Sequence, residues 1–177
     1  MKRKLDINLV AEYILGNIKK IQQFKEEKRD EYTLQFIIKN EFRRDIRYFT
    51  DHAMEWNKRY YSKEAAKKFK NSNFTLEEME RNDQIKKNKM NDPGRKIFHD
   101  EHLYPVDQLA NELLNLQDVS IENVKKILKK SALAWITKEE MKKLDNGIDE
   151  ETGLSTKSYR TDPFKVCKNI GIEIVNK

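Results

Sequence analysis

The stretch "ALAWITKEEMKKL", Ala132 to Leu144, joins an apolar run to the start of a helix. Its first six residues, Ala132 to Thr137, form a short apolar run bounded by polar residues, which predicts a buried strand. Thr137 followed by Glu140 three residues later is a capping box, so a helix is predicted to begin directly after Thr137. The pair Asn146–Gly147 predicts the end of that helix. The stretch therefore predicts a strand that leads directly into a short helix.

A second strand is predicted upstream, in "RKIFHDEH" at residues 95–102. The turn sequence "NDPG" at 91–94 precedes it, and Pro105 prevents the strand from continuing. Apolar residues at helical spacing predict two helices between the strands, over 106–116 and 121–130, the second capped by Ser120. The two strands thus form a hairpin with a long connection, and the tail after residue 163 is predicted as a short helix followed by a strand.

The N-terminal half is predicted to be helical. Apolar stripes recur at three- to five-residue steps over 6–28 and again over 34–49, and Ser62 is a plausible N-cap for a further helix. Residues 71–92 are polar, with one short helix capped by Thr75, which is typical of a peripheral segment or linker. The prediction is an α+β, predominantly helical fold with a helical region at 1–90 and a small ββα-like region at 91–177, together one compact globular unit.

Composition limits the classes of function. The 177 residues include 36 basic and 30 acidic side chains, a net charge of +6 that favours polyanionic partners such as nucleic acid. No apolar stretch approaches the length of a membrane span, and no signal peptide is recognisable, so a cytoplasmic protein without membrane contact is expected. The single cysteine, Cys167, excludes an intrachain disulfide and a cysteine-based zinc site. Oxygen and imidazole ligands favour Mg²⁺ or Mn²⁺ as the expected cofactor, with Zn²⁺ as the alternative.

The segment "HDEH" at 99–102 is the candidate for chemistry. A strand here places Glu101 and His102 at its end with their side chains on opposite faces. An imidazole near the carboxylates of Glu139 and Glu140 would suit metal-assisted hydrolysis, with the histidine taking a proton from water. The alternative is a solvated polar turn in a highly charged protein.

Several motifs from about Trp56 onward occur together: "SKEAAKKF", "EHLYP", "WITKEEMKKL" and a basic, aromatic stretch that leads to "GIEIV". In this order they resemble bacterial and phage nucleases of the HNH, or ββα-metal, superfamily. The resemblance implies that His102 is the general base and Glu101 a metal ligand or orienting carboxylate. It also implies that Glu139 or Glu140 supplies a ligand from the helix.

Two positions depart from that family pattern. Met141 stands where the helix commonly carries Asp, Asn or His, and a thioether is a poor ligand for a hard cation. Ser131 and Ala132 stand where an Asn usually precedes the second strand. Either Glu140 binds the metal, or the scaffold has lost full activity, and Glu140 has an equally good role as the capping-box carboxylate.

Basic residues elsewhere are candidates for contacts to nucleic acid. Arg160, in the polar stretch "STKSYRTD", is a candidate phosphate clamp in the site. The other candidates are lysines and an arginine near predicted helices or among aromatic residues, where ordinary solvated helix faces and core packing are the alternatives. They are Lys58, Arg59, Lys125, Lys126, Lys129, Lys130 and Lys138.

The function expected from the residues and the resemblance together is a divalent-metal-dependent endonuclease in restriction or phage-related biology, acting on DNA in preference to RNA. One alternative is a catalytically weak or inactive nuclease-like module that binds nucleic acid. Another is a protein-binding module, such as a phage inhibitor of host defence, with the N-terminal helices as its contact surface. A homodimer is consistent with the resemblance.

Overall fold

The computed structural model describes residues 5–52, 56 and 58–175, which form an α+β, predominantly helical fold, as predicted. The chain divides into two compact units, the first from segments 1–58 and 106–131 and the second from segments 59–105 and 132–177. The chain thus leaves the second unit at Pro105 and re-enters it at Ala132, which differs from a single division near residue 90.

No helix among the described residues is long and apolar enough to cross a membrane. The α-helices are α1 Ile7–Glu26, α2 Glu31–Ile37, α3 Arg43–His52, α4 Lys63–Lys68, α5 Val106–Leu114, α6 Ile121–Leu128, α7 Lys138–Asn146 and α8 Pro163–Asn169, and the strands are β1 Lys58–Ser62, β2 Phe98–His102, β3 Ala132–Thr137 and β4 Ile174–Val175.

The first unit is built from helices. Asp6 caps α1 by accepting from the backbone N–H of Asn8, and the predicted stripe buries one face of this helix. Ser120 caps α6, as predicted, by accepting from the backbone N–H of Asn123. An ion pair of 3.3 Å between Arg43 and Asp107 links α3 to α5. The predicted helices of this unit are therefore confirmed. The helical stretch predicted over 34–49 is interrupted by a π-helical turn.

A π-helical turn, Ile38–Phe42, separates α2 from α3. Buried residues recur here at every fourth position, from Leu34 through Ile38, Phe42 and Ile46. A straight α-helix has 3.6 residues per turn, so a strict four-residue repeat would drift around it by about 40° at each step. The wider π turn offsets that drift and keeps the four side chains on one buried face.

The second unit contains a four-stranded sheet in the order β2-β3-β1-β4. β2 pairs antiparallel with β3, so that Glu101 lies opposite Ala134, and β1 pairs antiparallel with β4. The predicted strands β2 and β3 are confirmed. Strand β1, "KRYYS", was not predicted, because it depends on pairing with strands distant in the chain, such as β4. All six residues of β3 are buried, which means that both faces of this strand are covered.

Two apolar clusters cover the sheet of the second unit. One contains Ala134 and Ile136 of β3 with Leu144 of α7 and Cys167 of α8. The other contains Phe98 and Trp135 together with residues from the segment before β2. Because successive side chains of a strand point to opposite faces, these clusters lie on the two sides of β3.

Residues 71–92 are part of this second cluster, and their prediction as a peripheral segment or linker is wrong. Leu76, Met79 and Met90 are buried, and the Trp135 indole donates to the carbonyl of Met79 at 3.1 Å. Asp92 accepts from the backbone N–H groups of residues 96, 97 and 98. The segment is polar because side chains such as Asp92 satisfy backbone groups that regular secondary structure would otherwise pair.

The predicted helix α7 is confirmed in both its start and its end. Thr137 and Glu140 form the expected capping box, and the helix ends at Asn146. Gly147 has a φ of −78°, so a left-handed conformation is not the reason for glycine here. A Cβ at Gly147 would lie 2.7 Å from the Thr156 hydroxyl, so close approach of the loop requires glycine.

Candidate active site

The candidate site lies in the second unit, where β2, β3 and α7 are joined. The register of β2 against β3 is fixed over five residue pairs, from Phe98–Thr137 to His102–Leu133. Helix α7 begins at Lys138, directly after β3. Strand alternation puts His99 and Glu101 on one face of β2, and Phe98, Asp100 and His102 on the other.

Each carboxylate oxygen of Glu101 accepts a hydrogen bond from a basic side chain. Its Oε1 accepts from Nη2 of Arg160 at 2.8 Å, and its Oε2 lies 3.1 Å from Nε2 of His99. Burial by itself would raise the pKa of Glu101, but the hydrogen bond from His99 and the charge of Arg160 outweigh it and lower the pKa to about 2. Glu101 is therefore a carboxylate at any physiological pH.

His99 is fixed between an acceptor and a donor. Its Nδ1 lies 3.3 Å from Nζ of Lys138, and its side chain is 32% exposed. The Glu101 carboxylate can only accept and the Lys138 ammonium can only donate, so one neutral tautomer satisfies both contacts, with the proton on Nε2. Nδ1 of His99 then carries the lone pair, as in a general base oriented by a carboxylate.

Arg160 is buried, with 2% of its side chain exposed. Besides Glu101, its guanidinium donates to the carbonyls of Thr156, His102 and Leu103 at 2.7 to 2.9 Å. These bonds anchor the loop before α8 to the end of β2. The predicted role as a phosphate clamp is therefore corrected, because a substrate phosphate would have to displace a buried ion pair.

His102, the predicted general base, lies on the face of β2 opposite Glu101. Only 8% of the residue is exposed, and its backbone carbonyl accepts from Arg160 at 2.7 Å. The opposite faces were predicted, and they mean that the imidazole of His102 is not oriented by the Glu101 carboxylate. The histidine that contacts Glu101 is His99, two residues earlier in the strand.

The predicted metal ligands do not form one cluster. Oε2 of Glu140 accepts from the Ser62 hydroxyl at 2.6 Å and from the Thr137 backbone N–H at 2.8 Å, which is the capping role. Glu139 is 68% exposed and pairs with Lys68 at 3.0 Å. Within residues 5–52, 56 and 58–175, no group of three or more His, Cys, Asp or Glu residues could hold a metal ion.

This arrangement does not fit the expected Mg²⁺ or Mn²⁺. A hard cation needs several oxygen ligands that converge, but both oxygens of Glu101 already have partners in the protein. Met141 packs against the apolar cluster under α7 and brings no oxygen ligand. The described part of the chain therefore brings together no ligand set through which a step with a divalent cation could be derived.

The other basic candidates differ in accessibility. Arg59 is 6% exposed in its side chain and donates to the Met79 carbonyl and to Asp100, so its predicted contact with nucleic acid is corrected to a buried ion pair. In the first unit, Lys125 pairs with Glu122 and Lys130 with Glu112. Lys126 on α6 and Lys129, the residue directly after this helix, are exposed. The side chain of Lys58 lies outside the described part of the chain.

Sequence reasoning did not assign a role to His99 and treated Lys138 only as a nucleic-acid contact. The signal for His99 was its spacing, because residues two apart in a strand share a face and Glu101 is two residues further on. No comparable signal joined Lys138 to His99, because their contact depends on the pairing of β2 with β3. Neither protein-family models, nor curated proteins, nor solved structures gave a match to this chain.

Proposed function

We propose that this protein binds nucleic acid and cleaves its phosphodiester bonds on the face of β2 that carries His99 and Glu101, with His99 as the general base. The observation that carries the proposal is the chain of contacts Glu101–His99–Lys138, in which a carboxylate, an imidazole and an ammonium group follow one another at 3.1 and 3.3 Å. A general base contributes about 10²- to 10⁴-fold to a rate. The net charge of +6 favours a polyanionic substrate.

Lys138 has two roles in this proposal. In the free protein its ammonium covers the lone pair on Nδ1 of His99. Lysine carries a mobile point charge on a flexible stem, so an incoming phosphate can draw Nζ away from the imidazole. The phosphate is then held by Lys138 while Nδ1 becomes available to take a proton.

Cleavage of end-labelled DNA and RNA oligonucleotides by wild type, His99→Ala and His102→Ala tests this function. We expect the His99→Ala rate to fall by about 10²-fold or more, because the base is lost. His52→Ala is the matched control, since His52 lies at the end of α3 in the first unit and contacts the carbonyl of Tyr48. Cleavage by His99→Ala at the wild-type rate would overturn the proposal, and loss of cleavage only in His102→Ala would restore His102 as the base.

A second candidate is a module that binds nucleic acid without cleaving it. It is favoured by one observation: each oxygen of Glu101 and each ring nitrogen of His99 already contacts a protein group. The network would then be structural, and exposed lysines such as Lys126 and Lys129 would supply the contacts. Binding should weaken as salt rises, and Lys126→Ala with Lys129→Ala should lower the dependence of log K on log salt by about 2.

A further inference from the structure

The site combines a histidine–carboxylate pair and a lysine with no group of ligands for a divalent cation among the described residues. Metal-dependent nucleases use the cation to generate the nucleophile from water and to offset charge on the phosphate. Here the groups that contact one another are a base, its orienting carboxylate and one ammonium. A substrate that brings its own nucleophile suits such a site better than one that needs activated water.

RNA brings that nucleophile, because each 2′-hydroxyl lies next to the phosphorus atom of the following phosphodiester. Well-oriented intramolecular reactions reach effective molarities of about 10⁵ to 10⁸ M, so the neighbouring hydroxyl replaces the metal-bound water. DNA lacks this hydroxyl. From this chemistry, and resting on the proposed function of the site, we infer that the substrate is RNA and that cleavage proceeds through attack of the 2′-oxygen without a divalent cation.

The bonds and protons balance with groups at the site. Nδ1 of His99 takes the proton of the 2′-hydroxyl as the 2′-oxygen bonds to phosphorus. The bond from phosphorus to the 5′-oxygen breaks, and the Lys138 ammonium gives a proton to that oxygen. The products are a 2′,3′-cyclic phosphate and a 5′-hydroxyl, and exchange with solvent returns the proton from His99 and reprotonates Lys138.

Access supports the assignment of these roles to His99 and Lys138. The His99 side chain is 32% exposed, whereas Arg160 is 2% exposed and committed to Glu101. Lys138 is partly buried and is the first residue of α7, and its Nζ lies 3.3 Å from Nδ1 of His99. Of Arg160 and Lys138, Lys138 is therefore the one placed to meet a phosphate.

The test uses the full chain and three oligonucleotides of one sequence: RNA, DNA, and RNA with a single 2′-deoxynucleotide. Each is incubated with EDTA or with Mg²⁺. We expect cleavage of the RNA in EDTA with 2′,3′-cyclic phosphate ends, and no cleavage after the 2′-deoxynucleotide. His99→Ala and Lys138→Ala should each slow cleavage by about 10²-fold or more.

Lys142→Ala is the matched control, because Lys142 is an exposed lysine on the same helix and should leave the rate unchanged. Circular dichroism and thermal unfolding establish that each variant is folded. His99→Ala is prepared by the same procedure to control for contaminating ribonuclease. Equal RNA cleavage by the wild-type and His99→Ala preparations would reveal such a contaminant and would overturn the inference.

The remaining outcomes separate this inference from the proposed function. Cleavage of DNA that requires Mg²⁺ and is lost in His99→Ala would overturn the RNA inference and support the proposed function. RNA cleavage that requires Mg²⁺, or that occurs after the 2′-deoxynucleotide, would overturn attack by the 2′-oxygen without a cation. If this cleavage is lost in His99→Ala, it would still support the proposed function. No cleavage of any substrate by folded protein would overturn both and support the binding module.

Discussion

The Ser62 hydroxyl donates to Oε2 of Glu140 at 2.6 Å, although the two residues are 78 positions apart in the chain. The same hydroxyl accepts from the Ala65 backbone N–H and so caps α4, while Glu140 accepts from the Thr137 backbone N–H in the capping box of α7. Both residues are buried, at 0% and 3% exposure. One hydrogen bond therefore joins the N-terminal caps of two helices on the same sheet.

Ser62→Ala should lower the free energy of unfolding by about 2 kcal/mol, because a helix cap and a hydrogen bond to a buried carboxylate are both lost. Ser120→Ala, which removes the cap of α6, should cost about 1 kcal/mol. Urea unfolding measures both. A double-mutant cycle with Glu140→Gln should give a coupling energy of about 0.5 to 3 kcal/mol, and additive effects would show that the two caps are independent.

Arg160→Met should reduce the free energy of unfolding by about 3 to 5 kcal/mol. The substitution leaves the Glu101 carboxylate without its ion pair and leaves three backbone carbonyls without their donor. The Glu101 side chain is 17% exposed and that of Arg160 2%, so solvent cannot replace the lost contacts. Lys165→Ala is the control, because its pair with Glu151 is exposed at 57% and 50% and should contribute nothing measurable. Equal stabilities of the two variants would contradict the structural role of Arg160.

Acid should remove the contribution of Glu101. The pKa of Glu101 is about 2 in the folded chain against an ordinary value of 4.5, so the ionised form is favoured by folding. That contribution, about 3 kcal/mol, is complete above pH 4.5 and is lost as the pH falls through about 2.

The measurement for Glu101 compares urea unfolding of wild type and Glu101→Gln over this pH range. We expect the difference in stability to be constant near neutrality and to shrink steadily below pH 4.5. The subtraction removes the other carboxylates with lowered pKa values, such as Asp92 and Asp149, which titrate in both proteins. A difference that grows as the pH falls would contradict the assigned pairing.

Cys167 should react with thiol reagents only when the second unit opens. Its side chain is fully buried in the cluster beneath α7 and α8, and burial raises the pKa of the thiol to about 11. Both effects lower the population of reactive thiolate. Labelling with a chromogenic disulfide should be slow in native protein and fast in denaturant, and fast labelling of native protein would show that this cluster is loosely packed.

Local signals in the sequence were sufficient for most of the secondary structure. The predicted caps Ser62, Ser120 and Thr137 lie at the starts of α4, α6 and α7, because capping depends on residues only two or three positions apart. The apolar run of β3 also suffices for a strand that is buried on both faces. In the segment 71–92 the same kind of signal predicted the short helix that Thr75 caps, now seen at Leu76–Glu78. Strand β1 and the burial of this segment could not be predicted in that way, because both depend on partners distant in the chain.

The candidate site shows the same limit. The sequence alone was enough to propose "HDEH" as the candidate segment and to predict the Thr137–Glu140 capping box, since both depend on neighbouring residues. Only the tertiary structure decided that Glu101 contacts Arg160, 59 positions later, and that His99 meets Lys138, 39 positions later. Burial selects these partners, because an ionised group is stable in the protein interior only where an opposite charge and hydrogen bonds offset the cost of removing it from water.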